Sequence, residues 1–70
     1  MTRDEWIAAF ARELGVEPPT ADQVERLLAL AGTAAHSSER TAAPIACFVA
    51  GRANATVEEL QAAAERVSAD

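Results

Sequence analysis

The sequence predicts an all-α fold, a compact bundle of four short antiparallel helices around a central apolar third helix. Three observations carry this. Thr2-Arg-Asp-Glu5, Thr20-Ala-Asp-Gln23 and Thr56-Val-Glu-Glu59 repeat the capping-box pattern before runs whose apolar residues recur with a helical period. Residues 41–51, TAAPIACFVAG, hold no charged side chain, and a helix apolar on every side is expected to be buried on every side. No segment shows the strict alternation of a half-buried strand.

The first helix starts at Arg3, after the Thr2–Glu5 box. Trp6, Ile7, Phe10 and Leu14 fall on one face, Asp4 and Glu5 oppose the positive helix end, and Arg12 the negative one. Gly15 is expected to stop it in the left-handed conformation. Val16-Glu-Pro-Pro19 is a rigid connector, because proline donates no amide and holds the preceding residue extended. The second helix follows the Thr20–Gln23 box, with Val24, Leu27, Leu28, Ala31, Ala34 and Ala35 as its apolar face and Asp22 and Arg26 as a solvent-side pair. Gly32 is read as a close crossing with the central helix. His36-Ser-Ser-Glu-Arg40 is the most polar break in the chain. Thr41 is expected to cap the central helix, with Pro44 in its first turn, where a missing amide is tolerated, and Gly51 at its end. Ile45, Phe48 and Val49 are its bulky knobs. The last helix opens at the Thr56–Glu59 box and carries Val57, Leu60, Ala63, Ala64 and Val67 on one face.

Seventy residues make one domain, 1–70, near the lower limit of what folds alone. Half of them count as hydrophobic, but 18 are alanine, so the core is small and a homodimer or a larger partner is the expected source of further burial. Eleven acidic residues against six arginines and no lysine argue against phosphate-backbone binding, so no nucleic-acid partner is expected. The supposed recognition helix also carries no Asn, Gln or Lys to meet base edges. There is no apolar run of the length a membrane span needs, no secretory h-region and only one cysteine, so the expectation is a cytoplasmic protein without a membrane partner.

Little in the chain resembles reaction chemistry. One His and one Cys do not make a metal site, and Cys47, inside the apolar segment, reads as a packed core thiol. His36, Ser37, Ser38 and Glu39 include the residue types of a hydrolase, but sequence neighbours rarely face one another and no second segment supplies an orienting acid. The expectation is a protein that is not an enzyme and holds no cofactor or metal. Candidate binding residues are Trp6, as an aromatic anchor, although its register with Ile7 and Phe10 favours a partly buried core position, and His36, Ser38 and Arg40, which with the first amides of the third helix and Thr41 could converge on an anion, although a capped helix end in a solvated turn is the favoured reading there. The alternative is a small acidic carrier-like module modified or ligand-bound at Ser37 or Ser38, although the Asp-Ser-Leu pattern of such carriers is absent.

Trp6, Ala35-His36, Arg40, Ala42-Ala43-Pro44, Phe48 and Gly51 together resemble a family of small uncharacterised bacterial helical domains that occur alone or as a tail on the nucleotidyltransferase that makes molybdopterin guanine dinucleotide. The resemblance covers nearly the whole chain, the last helix by pattern rather than by residue. It implies a non-enzymatic accessory or protein-interaction role in molybdenum-cofactor synthesis, with that nucleotidyltransferase as partner, and supplies no catalytic residues to transfer. Ser37-Ser38-Glu39 departs from it, since small or apolar residues are expected there.

Overall fold

The computed structural model of the chain describes residues 1–69. It contains four helices, α1 (Arg3–Leu14), α2 (Ala21–Ser37), α3 (Ala42–Arg52) and α4 (Val57–Ser68), so the fold is all-α.

All three capping boxes form. In each, the threonine hydroxyl accepts the backbone amide three residues on, at 3.1 Å from Glu5, Gln23 and Glu59, and that residue's side-chain oxygen accepts the threonine amide at 2.7, 2.9 and 2.8 Å respectively. Two otherwise orphaned donors are satisfied at each helix start. The threonine amides, and secondarily the threonine hydroxyls, hold the Glu5 and Glu59 carboxyls below the ordinary glutamate value of 4.5. α1 ends as predicted on Gly15, at φ 73°. The Gly15 amide donates to the Arg12 carbonyl at 3.1 Å and the Val16 amide to that of Ala11 at 3.0 Å, which is the Schellman pattern that glycine accommodates without a Cβ clash.

The start of α3 departs from the expectation. Thr41 lies in the right-handed helical region and its side chain caps nothing. The reason is chemical. In the three working boxes the hydroxyl accepts the amide of the third helical residue, and in α3 that residue is Pro44, which has none. The Ala42 and Ala43 amides instead donate to the Glu39 and Arg40 carbonyls at 2.9 and 3.2 Å, so α3 is entered through a tight backbone turn. α2 also runs further than the polar break implied, through His36 and Ser37, and α3 continues one residue past Gly51. Gly32 marks no crossing, since the nearest atom to a Cβ built there is Cδ2 of His36 on the same helix, at 4.0 Å.

The largest correction concerns the centre of the molecule, which is α2 and not α3. α2 packs against both α3 and α4, and no other pair of helices is in comparable contact. Arg26 approaches Glu58 at 3.8 Å and Thr33 receives the Gln61 amide at 3.1 Å, so residue numbers rise together and α4 runs in the same sense as α2. α3, between them in sequence, returns along α2 from the short 38–41 connector. On α3 the half-buried or buried residues are Ala42, Ala43, Ala46, Cys47 and Ala50, which recur at helical spacing and face α2 with small side chains. Ile45, Phe48 and Val49 point away and are 64%, 66% and 61% exposed. Cys47 is therefore half-buried rather than packed in a core. Among the described residues only Ala11, Leu30 and Ala50 are buried. Leu30 lies outside the face expected for α2, whereas Leu28, on that face, is 55% exposed. The stripe that faces inward is shifted to include Leu27, Leu30 and Ala34.

The position of these residues sets the cost of removing them. Leu30→Ala is expected to lower stability in urea unfolding by about 2–3 kcal/mol, as for a buried leucine, and Phe48→Ala by less than about 1 kcal/mol. A larger loss at Phe48 than at Leu30 would return α3 to the centre. The boxes respond to acid differently. The folded values of Glu5 and Glu59 lie below their unfolded one, so their support of α1 and α4 is complete above about pH 4.5 and is lost as pH falls through the folded values. Gln23 does not titrate. In an NMR titration the Thr2 and Thr56 amide protons are expected to shift with carboxyl protonation while that of Thr20 stays; equal movement of all three would contradict the assignment.

Candidate functional site

Because α3 and α4 each lean on α2 and make little contact with one another, a groove remains between them. Its volume is about 570 Å³. Leu30 and Ala34 of α2 form part of the lining, Ile45 and Val49 come from α3, and Leu60 and Val67 from α4. The remaining lining residues are alanines, Thr33 and three serines, and among the described residues no charged side chain takes part. This composition fits the apolar face of a helix, since it offers a long nonpolar surface and no group whose charge docking would strip of water.

The exposed apolar residues extend well beyond the groove. Trp6, Phe10 and Leu14 are 52%, 50% and 59% exposed along one side of α1, with the Trp6 and Phe10 rings stacked at 5.0 Å between centroids. The Arg52 guanidinium lies over the Phe48 ring, 5.7 Å from its centroid, a contact worth about 0.5–1 kcal/mol at an exposed position.

The predicted binding residues do not form one cluster. Trp6 belongs to α1, which makes no extensive contact with α3 or α4. His36 lies in the last turn of α2, exposed, while Ser38 closes that helix and uses its hydroxyl to donate to the Ala34 carbonyl at 3.0 Å. Arg40 is exposed in the connector, and its carbonyl receives the Ala43 amide. The amides that were to meet an anion at the start of α3 are taken by Glu39 and Arg40 or, at Pro44, do not exist. Ser37 and Ser38 stand at the C-terminal end of a helix, and both line the mouth of the groove.

Two polar residues that sequence patterning did not single out join α2 to α4. The Gln61 side-chain amide donates to the Thr33 hydroxyl at 3.1 Å, and that hydroxyl donates to the Ala29 carbonyl at 3.1 Å. The Thr33 proton is thus committed, which orients the glutamine with its nitrogen toward Thr33 and leaves the buried Oε1 atom with no hydrogen-bond partner among the described residues. Arg26 lies 3.8 Å from both Asp22 and Glu58, an exposed arrangement of small energetic weight.

No helix among the described residues is long and apolar enough to cross a membrane, and no group of three or more His, Cys, Asp or Glu side chains there is arranged to hold a metal ion.

The bridge between α2 and α4 generates a test of its own. Thr33→Val is expected to cost about 1–2 kcal/mol, because it strands the Gln61 amide, and adding Gln61→Leu should recover most of that loss, since removing both partners is nearly neutral. Additive losses in urea unfolding would show that the two side chains are not coupled.

Comparison with curated proteins and with solved structures finds no match. A family profile described as a domain of unknown function, DUF6457, matches residues 1–70. The whole sequence is covered, and the chain belongs to the DUF6457 family.

Proposed function

We propose that this chain is a non-enzymatic docking module that takes an apolar helical segment of a protein partner into the groove between α3 and α4. The observation that carries the reading is the groove itself, lined by uncharged side chains among the described residues, open to solvent and flanked by Ile45, Val49 and Val67 at more than half exposure. Helix-in-groove recognition uses such a surface, the partner supplying apolar anchors at helical spacing. The sequence resemblance favours as partner the nucleotidyltransferase that makes molybdopterin guanine dinucleotide, or another protein of molybdenum-cofactor maturation. On that reading the module needs no cofactor, and its place of action is the cytoplasm.

The carrier alternative, modified or ligand-bound at Ser37 or Ser38, is disfavoured by position. A carrier serine sits at the start of a helix, and these serines end one. Intact mass after incubation with a phosphopantetheinyl transferase and coenzyme A separates the two, an unchanged mass being the expected outcome.

The partner reading is tested with purified nucleotidyltransferase in a pull-down on wild-type chain and on Val67→Glu, an exposed groove position that tolerates the substitution in the free chain. Capture is expected with wild type and at least about tenfold weaker binding with Val67→Glu, because an unpaired charge would be buried against an apolar helix. Loss of capture with Arg40→Ala but not with Val67→Glu would move the contact to the 36–40 segment. No enrichment by wild type would remove the nucleotidyltransferase as partner.

A further inference from the structure

Two apolar surfaces of this chain face solvent, and they match in form. The first is the Trp6, Phe10 and Leu14 stripe, at i, i+4 and i+8 on α1. It borders the side by which α1 adjoins its own chain, where Ile7 and Ala8 line a small recess with Pro18, Pro19 and Val24, and where Ala11 is buried. The second surface is the groove. Residues 6–14 span the same length as each of the three stretches that line the groove, 30–38, 42–50 and 60–68. At 1.5 Å per residue all four are about 12 Å long. The stripe is convex and apolar, and the groove is concave and lined by uncharged side chains among the described residues, so the surfaces that meet are nonpolar, with Arg3 and Glu13 at the edge of the stripe.

Surface area indicates how much an occupant can cover. The chain exposes 5541 Å², whereas a compact monomer of 7.4 kDa exposes about 4,200 Å². The excess is about 1,300 Å², more than the roughly 800 Å² that each partner contributes to an interface of standard size. The radius of gyration, 12.6 Å, likewise exceeds the roughly 11 Å of a compact domain of this length. A second copy brings both surfaces, so a two-fold arrangement fills both grooves, covers both stripes and closes without leaving a site for a third chain. The own-chain stripe does not do this, because α1 is held near the start of α2 by Pro18 and Pro19 while the groove begins at Leu30.

We propose that two copies associate about a two-fold axis, each laying the Trp6, Phe10 and Leu14 stripe of α1 in the α3–α4 groove of the other. This rests on the groove being a helix-docking site, and it makes an external partner a competitor of the second copy's α1.

The test is light scattering with size exclusion on the full chain at high micromolar concentration, with circular dichroism to verify helix content. Wild type is expected at twice the 7.4 kDa chain mass. Phe10→Glu alone, and Ile45→Glu with Val67→Glu, are each expected to halve that mass; all three positions are at least half exposed in the monomer and tolerate the change. An equimolar mixture of the two variants is expected to regain only part of the dimer mass, since it restores one of the two stripe-in-groove contacts and sets the introduced carboxylates against one another at the second. A dimer that survives in the groove variant means the α1 helices pair with each other, and one that survives in Phe10→Glu means the grooves do; either overturns the proposal. A wild type that stays monomeric overturns it as well, and if that monomer still captures the purified nucleotidyltransferase the docking module stands without self-association.

Discussion

The structure depends on a single spine. Among the described residues α2 is the only helix packed extensively against two others, and the contact surfaces it meets are made largely of alanine. Alanine lets backbones approach closely and costs no rotamer entropy, but it buries little area. A fold held by such seams leans on local terms, and three complete capping boxes supply them at α1, α2 and α4. α3 lacks one. It is fixed by its turn from α2 and by its seam, which makes it the helix most dependent on tertiary contact.

Much of this could be read from the residues. Helix starts were legible because Thr-x-x-Glu and Thr-x-x-Gln state a stereochemical fit between neighbours in sequence, and Gly15 was legible because only its backbone suits the Schellman turn. Thr41 misled because a threonine ahead of an apolar run looks like a cap until the third helical residue is seen to be Pro44. The centre was misjudged for a different reason. An all-apolar helix implies burial, but a sequence does not say by whose atoms. Here the alanines of α3 satisfy its own chain while Ile45, Phe48 and Val49 are left over, so the bulky residues that looked like a core describe a surface. Leu30 was missed because Leu27 and Leu28 drew the expected stripe to one side of it. Of the anticipated site, Trp6 stands half exposed on α1, where its register with Ile7 and Phe10 pointed to partial burial, while His36, Ser38 and Arg40 are dispersed across a helix end and a connector. The groove itself is tertiary in origin, since no single segment encodes the gap between two helices that share a third.

These features bear on one another. A small domain whose core is two alanines and a leucine, and whose largest side chains are exposed, has placed its hydrophobic resource where association rather than folding can use it. Among the described residues the groove of this DUF6457 member is lined by neither an ionised group nor a cluster of nucleophiles. Arg52 over Phe48 has a complementary effect outside the groove, laying a charged, hydrated group across an exposed ring and so limiting indiscriminate contact there.

Ala34, Ala46 and Ala50 all belong to the lining of the groove and lie where α2 and α3 come together. The distance between those two backbones is thus governed by absent methyl groups, and each methyl restored would act as a shim. Valine at such positions would push the walls apart without touching a cap. Related chains could in this way retune the calibre of the cleft, and with it, on the docking reading proposed above, the girth of the helix admitted, while every element of secondary structure stayed where it was.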